Sequence, residues 1–196
     1  MEKIYKDYKY KKNPWTVIRS DINLGFGGGV VFASKFIKED FICWMPGNMK
    51  IKPIEALKLI EIEKNKEKNL LVKAKRINRP LFDTLKTKIF SLIFSLYFKE
   101  WLFDIGGTPN ILEKNILTTL NYSPNDFSFD AFIYYFAIKN NFRIKRPKVS
   151  YKKRLFGRSH WQKGLASELN LTYKILSQKN LWKKEAFEYL NKTNNN

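Results

Sequence analysis

Cysteine, histidine and carboxylates are scarce in this chain, and each scarcity closes off a class of function. The one cysteine, Cys43, excludes an internal disulfide framework and suits a reducing, cytoplasmic compartment. It stands in an apolar run, where a thiol serves as a small core side chain rather than a nucleophile. The one histidine, His160, rules out a multi-histidine metal site. No hydrophobic run is long. Residues 89–98 form the most apolar stretch, closed by Lys88 and Lys99, and fall well short of the ~20 residues that span a bilayer. Residues 1–12 are charged and aromatic without an apolar core, so no secretory leader is expected. No internal repeat is visible.

Asp and Glu number 18 against 37 Lys and Arg, a net charge of +19. Such a field draws polyanions: nucleic acid, anionic lipid heads or diphosphate ligands. A lysine-rich composition also simply keeps a surface solvated. No nucleic-acid reading motif is present, so no specific nucleic-acid partner is expected. What is plentiful is apolar. Hydrophobic residues make up 44% and aromatics 16% of 196 residues, enough for one domain with a real core.

Strand patterns at residues 15–18, 41–45, 70–74 and 142–151, the last broken at Pro147, alternate with helix patterns. The helices are expected at 30–36, from Pro53 up to the charged run 63–68, and at 80–103, 127–139, 165–176 and 181–190. Residues 115–120 fit either a short strand or a short helix. This alternation predicts an α/β fold with a mostly parallel sheet and flanking helices. Ligands of such sheets bind at the carboxyl ends of strands. The Gly25 turn, the Asn48 turn and Arg76 all fall at expected strand ends.

Five constellations stand out. The run Gly25-Phe26-Gly27-Gly28-Gly29 either lets backbone N–H groups approach an anion at a helix start or serves a tight turn with close helix packing. Pro46-Gly47-Asn48-Met49-Lys50 reads as a turn after a buried strand. Arg76 ends the stretch Lys73-Ala74-Lys75-Arg76 and either clamps a phosphate or lies on the surface. Asp104-Ile105-Gly106-Gly107-Thr108-Pro109 breaks the long helix. Arg154-Leu155-Phe156-Gly157-Arg158-Ser159-His160-Trp161 is a basic loop after a strand.

Together these segments resemble the family 2 glycosyltransferases, over residues 15–161. The resemblance implies a Rossmann-like GT-A fold, incomplete at its start, and inverting sugar transfer from a nucleotide-diphosphate sugar to a lipid-phosphate or saccharide acceptor. It suggests the branch that acts on polyprenyl phosphates. By residue-to-residue matching it implies that Lys50, Arg76, Arg154, Ser159 and His160 meet the donor diphosphate, and that Gly25, Gly27 and Asn48 lie on the sugar side. Asp104 and Gly107 belong to the acceptor loop. Asp130, eleven residues before Asn141, takes the place of the catalytic base; the plain alternative is a favourable charge at a helix N-terminus.

The family pattern holds Mg²⁺ or Mn²⁺ through two aspartates, and here Pro46 and Asn48 occupy those positions with Lys50 after them. Asn48 offers only a neutral oxygen and Lys50 repels a cation. We therefore expect Lys50 to replace part of the charge a metal supplies. The family's opening strands have no counterpart in residues 1–13. The expectation is that a partner chain supplies them, that the N-terminal segment substitutes, or that the chain is a remnant or a misassigned start of a longer gene. The resemblance divides the chain into a transferase-like domain at 1–164 and C-terminal helices with a frayed tail at 165–196. A non-catalytic basic subunit that binds anionic lipid or a partner transferase is the competing reading. Peripheral membrane contact would come through the apolar 82–103 helix, flanked by Lys86, Lys88 and Lys99.

Overall fold

Leu70-Leu71-Val72 is a run of β-favouring apolar side chains, and it forms the buried centre of the molecule. A computed structural model describes residues 18–47, 50–62, 67–151 and 165–194. In chain order its elements are α1 (Gly25–Ser34), β1 (Phe41–Trp44), α2 (Pro53–Ile62), β2 (Leu70–Lys73), β3 (Lys75–Ile77), α3 (Leu81–Phe98), β4 (Asn110–Glu113), α4 (Lys114–Thr119), α5 (Phe129–Lys139), β5 (Arg143–Lys145), β6 (Lys148–Ser150), α6 (Leu165–Ser177) and α7 (Lys179–Asn194). The strand expected at residues 15–18 lies almost wholly outside the described residues.

The main sheet has the order β1-β4-β2-β5, and a two-stranded sheet pairs β3 with β6. β4 runs antiparallel to both β1 and β2, while β2 and β5 run parallel, as do β3 and β6. Three of the four main strands therefore point the same way, and β4 is the exception inserted between them. The sheet is mixed where the sequence suggests mostly parallel pairing. β4 was not foreseen: it is four residues long and follows directly on Gly106-Gly107-Thr108-Pro109. Residues 142–151 form two strands, β5 and β6, that belong to different sheets.

Side chains alternate across the sheet. Ile42, Trp44, Leu71 and Leu112 face one core with α5, and Leu70, Val72 and Ile111 face a second with Leu59 of α2. α5 is the central helix: every residue from Phe129 to Ala137 is buried, and all of them except Asp130 are apolar or aromatic. Trp182 of α7 has no exposed surface and stacks on Phe98 with ring centres 5.0 Å apart, edge-on to Phe132 at 5.7 Å. Glu185 of α7 is also buried and accepts the backbone N–H groups of Asn121 (2.8 Å) and Tyr122 (3.0 Å).

Two helix boundaries differ from the sequence pattern. α1 starts at Gly25 itself, inside the glycine run, where Asn23 Oδ1 accepts the Gly25 N–H at 3.0 Å. α3 stops at Phe98 although apolar residues continue to Phe103. Lys99 adopts the left-handed conformation, Glu100 N–H donates back to the Ser95 carbonyl at 3.2 Å, and Leu102 N–H donates to Ser95 Oγ at 2.9 Å. That reversal seats Leu102, 1% exposed, in the core.

Candidate functional site

The three co-directional strands β1, β2 and β5 end on one side of the sheet, and their last residues form a row. The order across that row is set by register: Trp44 and Lys73 both stand opposite Asn110, the first residue of β4. Arg146 follows directly on β5. The N-terminal turn of α5 brings Asp130 over this row. Two tiers of charge result.

The inner tier is buried. Asp130 Oδ1 accepts the indole N–H of Trp44 at 3.1 Å and the amide N–H of Asn110 at 3.1 Å. Lys73, 1% exposed, donates from Nζ to Asn110 Oδ1 and to the Gly107 carbonyl, each at 3.2 Å. Its ammonium also lies 5.6 Å from the centre of the Tyr134 ring. Burial pushes the Lys73 amine down to about 8; Asp130 and Asp104 oppose that shift, and Arg146 and Arg76 add to it. Burial raises the Asp130 carboxyl above the usual range, although Lys73, the Trp44 hydrogen bond and Arg76 all pull the other way. The two shifts run toward each other, the amine down and the carboxyl up.

The outer tier gathers three guanidinium groups on one carboxylate. Arg76 donates to Asp104 from its backbone N–H (3.0 Å), from Nε (2.9 Å) and from Nη2. Arg79 and Arg146 reach the same carboxylate at 3.8 and 3.9 Å. Arg146 also donates to the Phe103 carbonyl at 2.7 Å, which ties the loop after α3 to the end of β5. Burial alone would raise the Asp104 carboxyl; the charge and hydrogen bonds of Arg76, with Arg146 behind, hold it below the ordinary range. Tyr151 supplies a ring on which Lys50, Arg76 and Arg79 all lie, at 5.1, 5.4 and 5.7 Å from its centre.

Glycine is required where the two tiers meet. A Cβ on Gly107 would sit 2.0 Å from the Ala74 carbonyl oxygen, so only glycine lets the 104–109 loop lie on the end of β2 and offer its carbonyl to Lys73.

The structure thus brings Lys50, Arg76, Asp104, Gly107 and Asp130 into one neighbourhood. Gly25 and Gly27 serve close packing. A Cβ would stand 2.4 Å from the Asn125 carbonyl at the first and 2.1 Å from the Pro124 carbonyl at the second, and Gly25 has a φ of +70°. Gly27 lets α1 rest against Phe129, the neighbour of Asp130. Asn48, Arg154, Ser159 and His160 lie outside the described residues. Sequence reasoning missed Trp44 and Asn110 as carboxylate donors, and it missed Lys73, Arg79, Arg146 and Tyr151. The one available signal was the lysine closing the apolar strand Leu70-Leu71-Val72-Lys73.

A divalent cation does not suit the described donors. Asp104 is committed to Arg76, Arg79 and Arg146, and Asp130 is held by Trp44 and Asn110 beside an ammonium. Among the described residues no three His, Cys, Asp or Glu side chains cluster. Cys43 is no nucleophile either, since burial pushes its thiol up to about 11.

The fold is that of the GT-A type glycosyltransferases. Glucosyl-3-phosphoglycerate synthase from Mycobacterium tuberculosis, solved with phosphoglyceric acid, matches with a TM-score of 0.58 at 13% identity, over 85% of this chain and 56% of its own. The same enzyme with Mn²⁺, uridine-diphosphate-glucose and glycerol 3-phosphate matches with a TM-score of 0.54 at 13% identity, over the same shares. The chain spans a little over half the length of these neighbours, 56%, and at this identity the likeness is one of fold. No family model matches the sequence, and no curated protein does.

Proposed function

We propose that the chain is a glycosyltransferase of the family 2 type, close to the polyprenyl-phosphate branch. It moves a hexosyl group from a nucleotide-diphosphate sugar to a lipid-phosphate or saccharide acceptor at the cytoplasmic face of a membrane. The observation that carries this reading is the convergence of Arg76, Arg79 and Arg146 on the single carboxylate of Asp104 at the strand ends of a GT-A fold. Three guanidinium groups against one carboxylate leave a surplus of positive charge for an anion. The matching synthase was solved with both uridine-diphosphate-glucose and glycerol 3-phosphate.

In the proposed reaction an acceptor oxygen bonds to the anomeric carbon while the bond from that carbon to the diphosphate oxygen breaks. The diphosphate leaves with the bonding pair. Arg76 and Lys50 meet its charge, with Arg154, Ser159 and His160 contributing from the basic loop, and Gly25, Gly27 and Asn48 on the sugar side. Asp104 and Gly107 shape the acceptor loop. A hydroxyl acceptor gives its proton to Asp130, whose raised carboxyl suits that role; a phosphate acceptor is already ionised and gives none. Cationic side chains here take over charge that Mn²⁺ or Mg²⁺ supplies elsewhere.

Thermal shift with a panel of UDP- and GDP-sugars tests the reading. A true donor at about 100 times its Kd stabilises by about 2.7 kcal/mol, which is roughly 5–10 °C for a chain of this size. Arg76→Ala should abolish the shift. A wild-type chain that responds to no sugar nucleotide refutes the proposal. A second reading is a subunit that completes a partner transferase. It is favoured by β1, which pairs with β4 alone among the described residues and leaves an edge for a partner's strand. Sugar-nucleotide binding without transfer, with transfer restored by a partner chain, would select it.

A further inference from the structure

α3 is amphipathic in an unusual sense: apolar on both faces. Its inner face buries Ser91, Phe94 and Phe98. Its outer face carries Phe82, Leu85, Ile89, Leu92 and Leu96 at 68, 55, 51, 57 and 71% exposure. Surface helices normally turn charged residues outward. At 100° per residue these five fall within one narrow stripe about 21 Å long. Exposed Trp101 follows beyond its C-terminal end. Leu81 at the N-terminal end of the helix is 89% exposed as well, and exposed apolar surface gathered on one helix face marks an interaction site.

We propose that this stripe docks in the headgroup boundary of an anionic bilayer. Charge complementarity selects that occupant over a second copy of the chain. Lys88 borders the stripe on one side and Lys86 on the other, with Lys99 at its C-terminal end; Asp83 is the one acidic residue of the helix. Pairing two such stripes would press lysines against lysines between chains that each carry +19. Anionic headgroups neutralise the same lysines while the apolar side chains enter the acyl boundary. No helix of the described residues is long and apolar enough to cross a membrane, so the helix lies along the surface.

The inner face of the same helix holds the charged site. Thr87 Oγ1 accepts Arg79 Nη1–H at 2.9 Å, and Ser91 Oγ accepts the Asp104 N–H at 3.1 Å. Docking of α3 would hold the arginine cluster one helix diameter, about 10 Å, from the lipid surface, within reach of a lipid-borne acceptor. That link to a lipid-borne acceptor rests on the sugar-transfer reading; the docking itself does not, and its test needs no activity.

The test is co-sedimentation of the full chain with vesicles of phosphatidylcholine alone or with 30% phosphatidylglycerol, near physiological salt. The wild type should bind the anionic vesicles at least tenfold more tightly than the neutral ones. Leu85→Ser with Leu92→Ser should weaken anionic binding at least tenfold at unchanged net charge, with the far-UV circular dichroism and melting point retained because both sites are exposed. Lys86→Glu with Lys88→Glu should weaken it similarly. Anionic binding that the double serine variant leaves intact would overturn the proposal, since general charge attraction would then suffice. A wild type that ignores vesicles but sediments as a dimer, which the serine variant dissolves, would overturn it in favour of a second copy. Failure of every sugar nucleotide to bind, with vesicle binding as expected, would sink the transfer reading and leave docking standing.

Discussion

Asp104→Asn removes one charge and almost no volume, so it isolates what the outer tier contributes to stability. In the wild type the carboxylate, 3% exposed, faces Arg76, Arg79 and Arg146. In the variant three guanidinium groups remain packed together without a counter-charge. At about 4 Å and an effective dielectric of about 20, one such pair interacts by roughly 4 kcal/mol. Desolvation offsets much of that, and breaking a buried pair from one side costs about 3–5 kcal/mol in practice. At about 2–4 °C per kcal/mol for a chain of this length, the melting point should fall by roughly 6–20 °C at pH 7, read by circular dichroism at low salt. The pH dependence gives a second check. The folded carboxyl titrates below the ordinary range, so its stabilisation is complete above the unfolded value of about 4 and disappears as pH drops through the folded value. The gap between wild type and variant should hold steady from pH 5 to 8 and narrow below pH 4. A loss under 1 kcal/mol at pH 7, or a gap that ignores acid, would refute the claim that Asp104 holds the arginines together.

Two further outcomes follow from buried groups. Lys73 titrates near 8 when folded, against 10.5 unfolded, so above pH 8 the unfolded chain binds more protons and stability should rise with pH, by at most about 1.4 kcal/mol per unit. Cys43 offsets the rise above pH 9, its folded thiol lying at about 11 against 9.0 unfolded; urea titrations between pH 8 and 9 are the clean window, and Lys73→Met should flatten the rise. Trp182→Ala empties the contact among Phe98, Phe132 and Tyr135 and should cost about 3–5 kcal/mol in the same urea assay; an intact melting transition would mean that α7 is not part of the core.

Periodicity located most elements because their apolar spacing is long enough to read. Leu70-Leu71-Val72 announced β2, Pro53 opened α2, and the 127–139 stretch read as a helix. Strand direction was another matter. Nothing in four residues such as Asn110-Ile111-Leu112-Glu113 says which way they run or that they run at all, so β4 and the antiparallel pairings went unseen. The end of α3 was hidden because apolar residues continue past Lys99; the reversal depends on Leu102 finding the core, a tertiary fact. At the site, Arg76, Asp104 and Asp130 were singled out through motif spacing, whereas Arg79 and Arg146 have no such spacing and join only because the 103–109 loop crosses from the end of α3 to β4. Lys73 was illegible for a different reason: lysine in a sequence reads as solvent, and only the fold shows an ammonium enclosed by Asn110, Gly107 and Tyr134.

Those enclosed charges also say where the chain gives up stability. An apolar core of similar volume is often as stable as a buried ion network or more so, and this protein has aromatic side chains in abundance with which to build one. Two adjoining tiers of buried charge at the strand ends are therefore hard to explain as scaffolding alone. The tiers differ in sign balance. The inner tier pairs one ammonium with one carboxylate, while the outer tier sets three guanidinium groups against one carboxylate. An anion that enters meets surplus positive charge first and the proton-bearing pair behind it. Under the proposed transfer reading, that surplus is the charge that would meet an anionic leaving group.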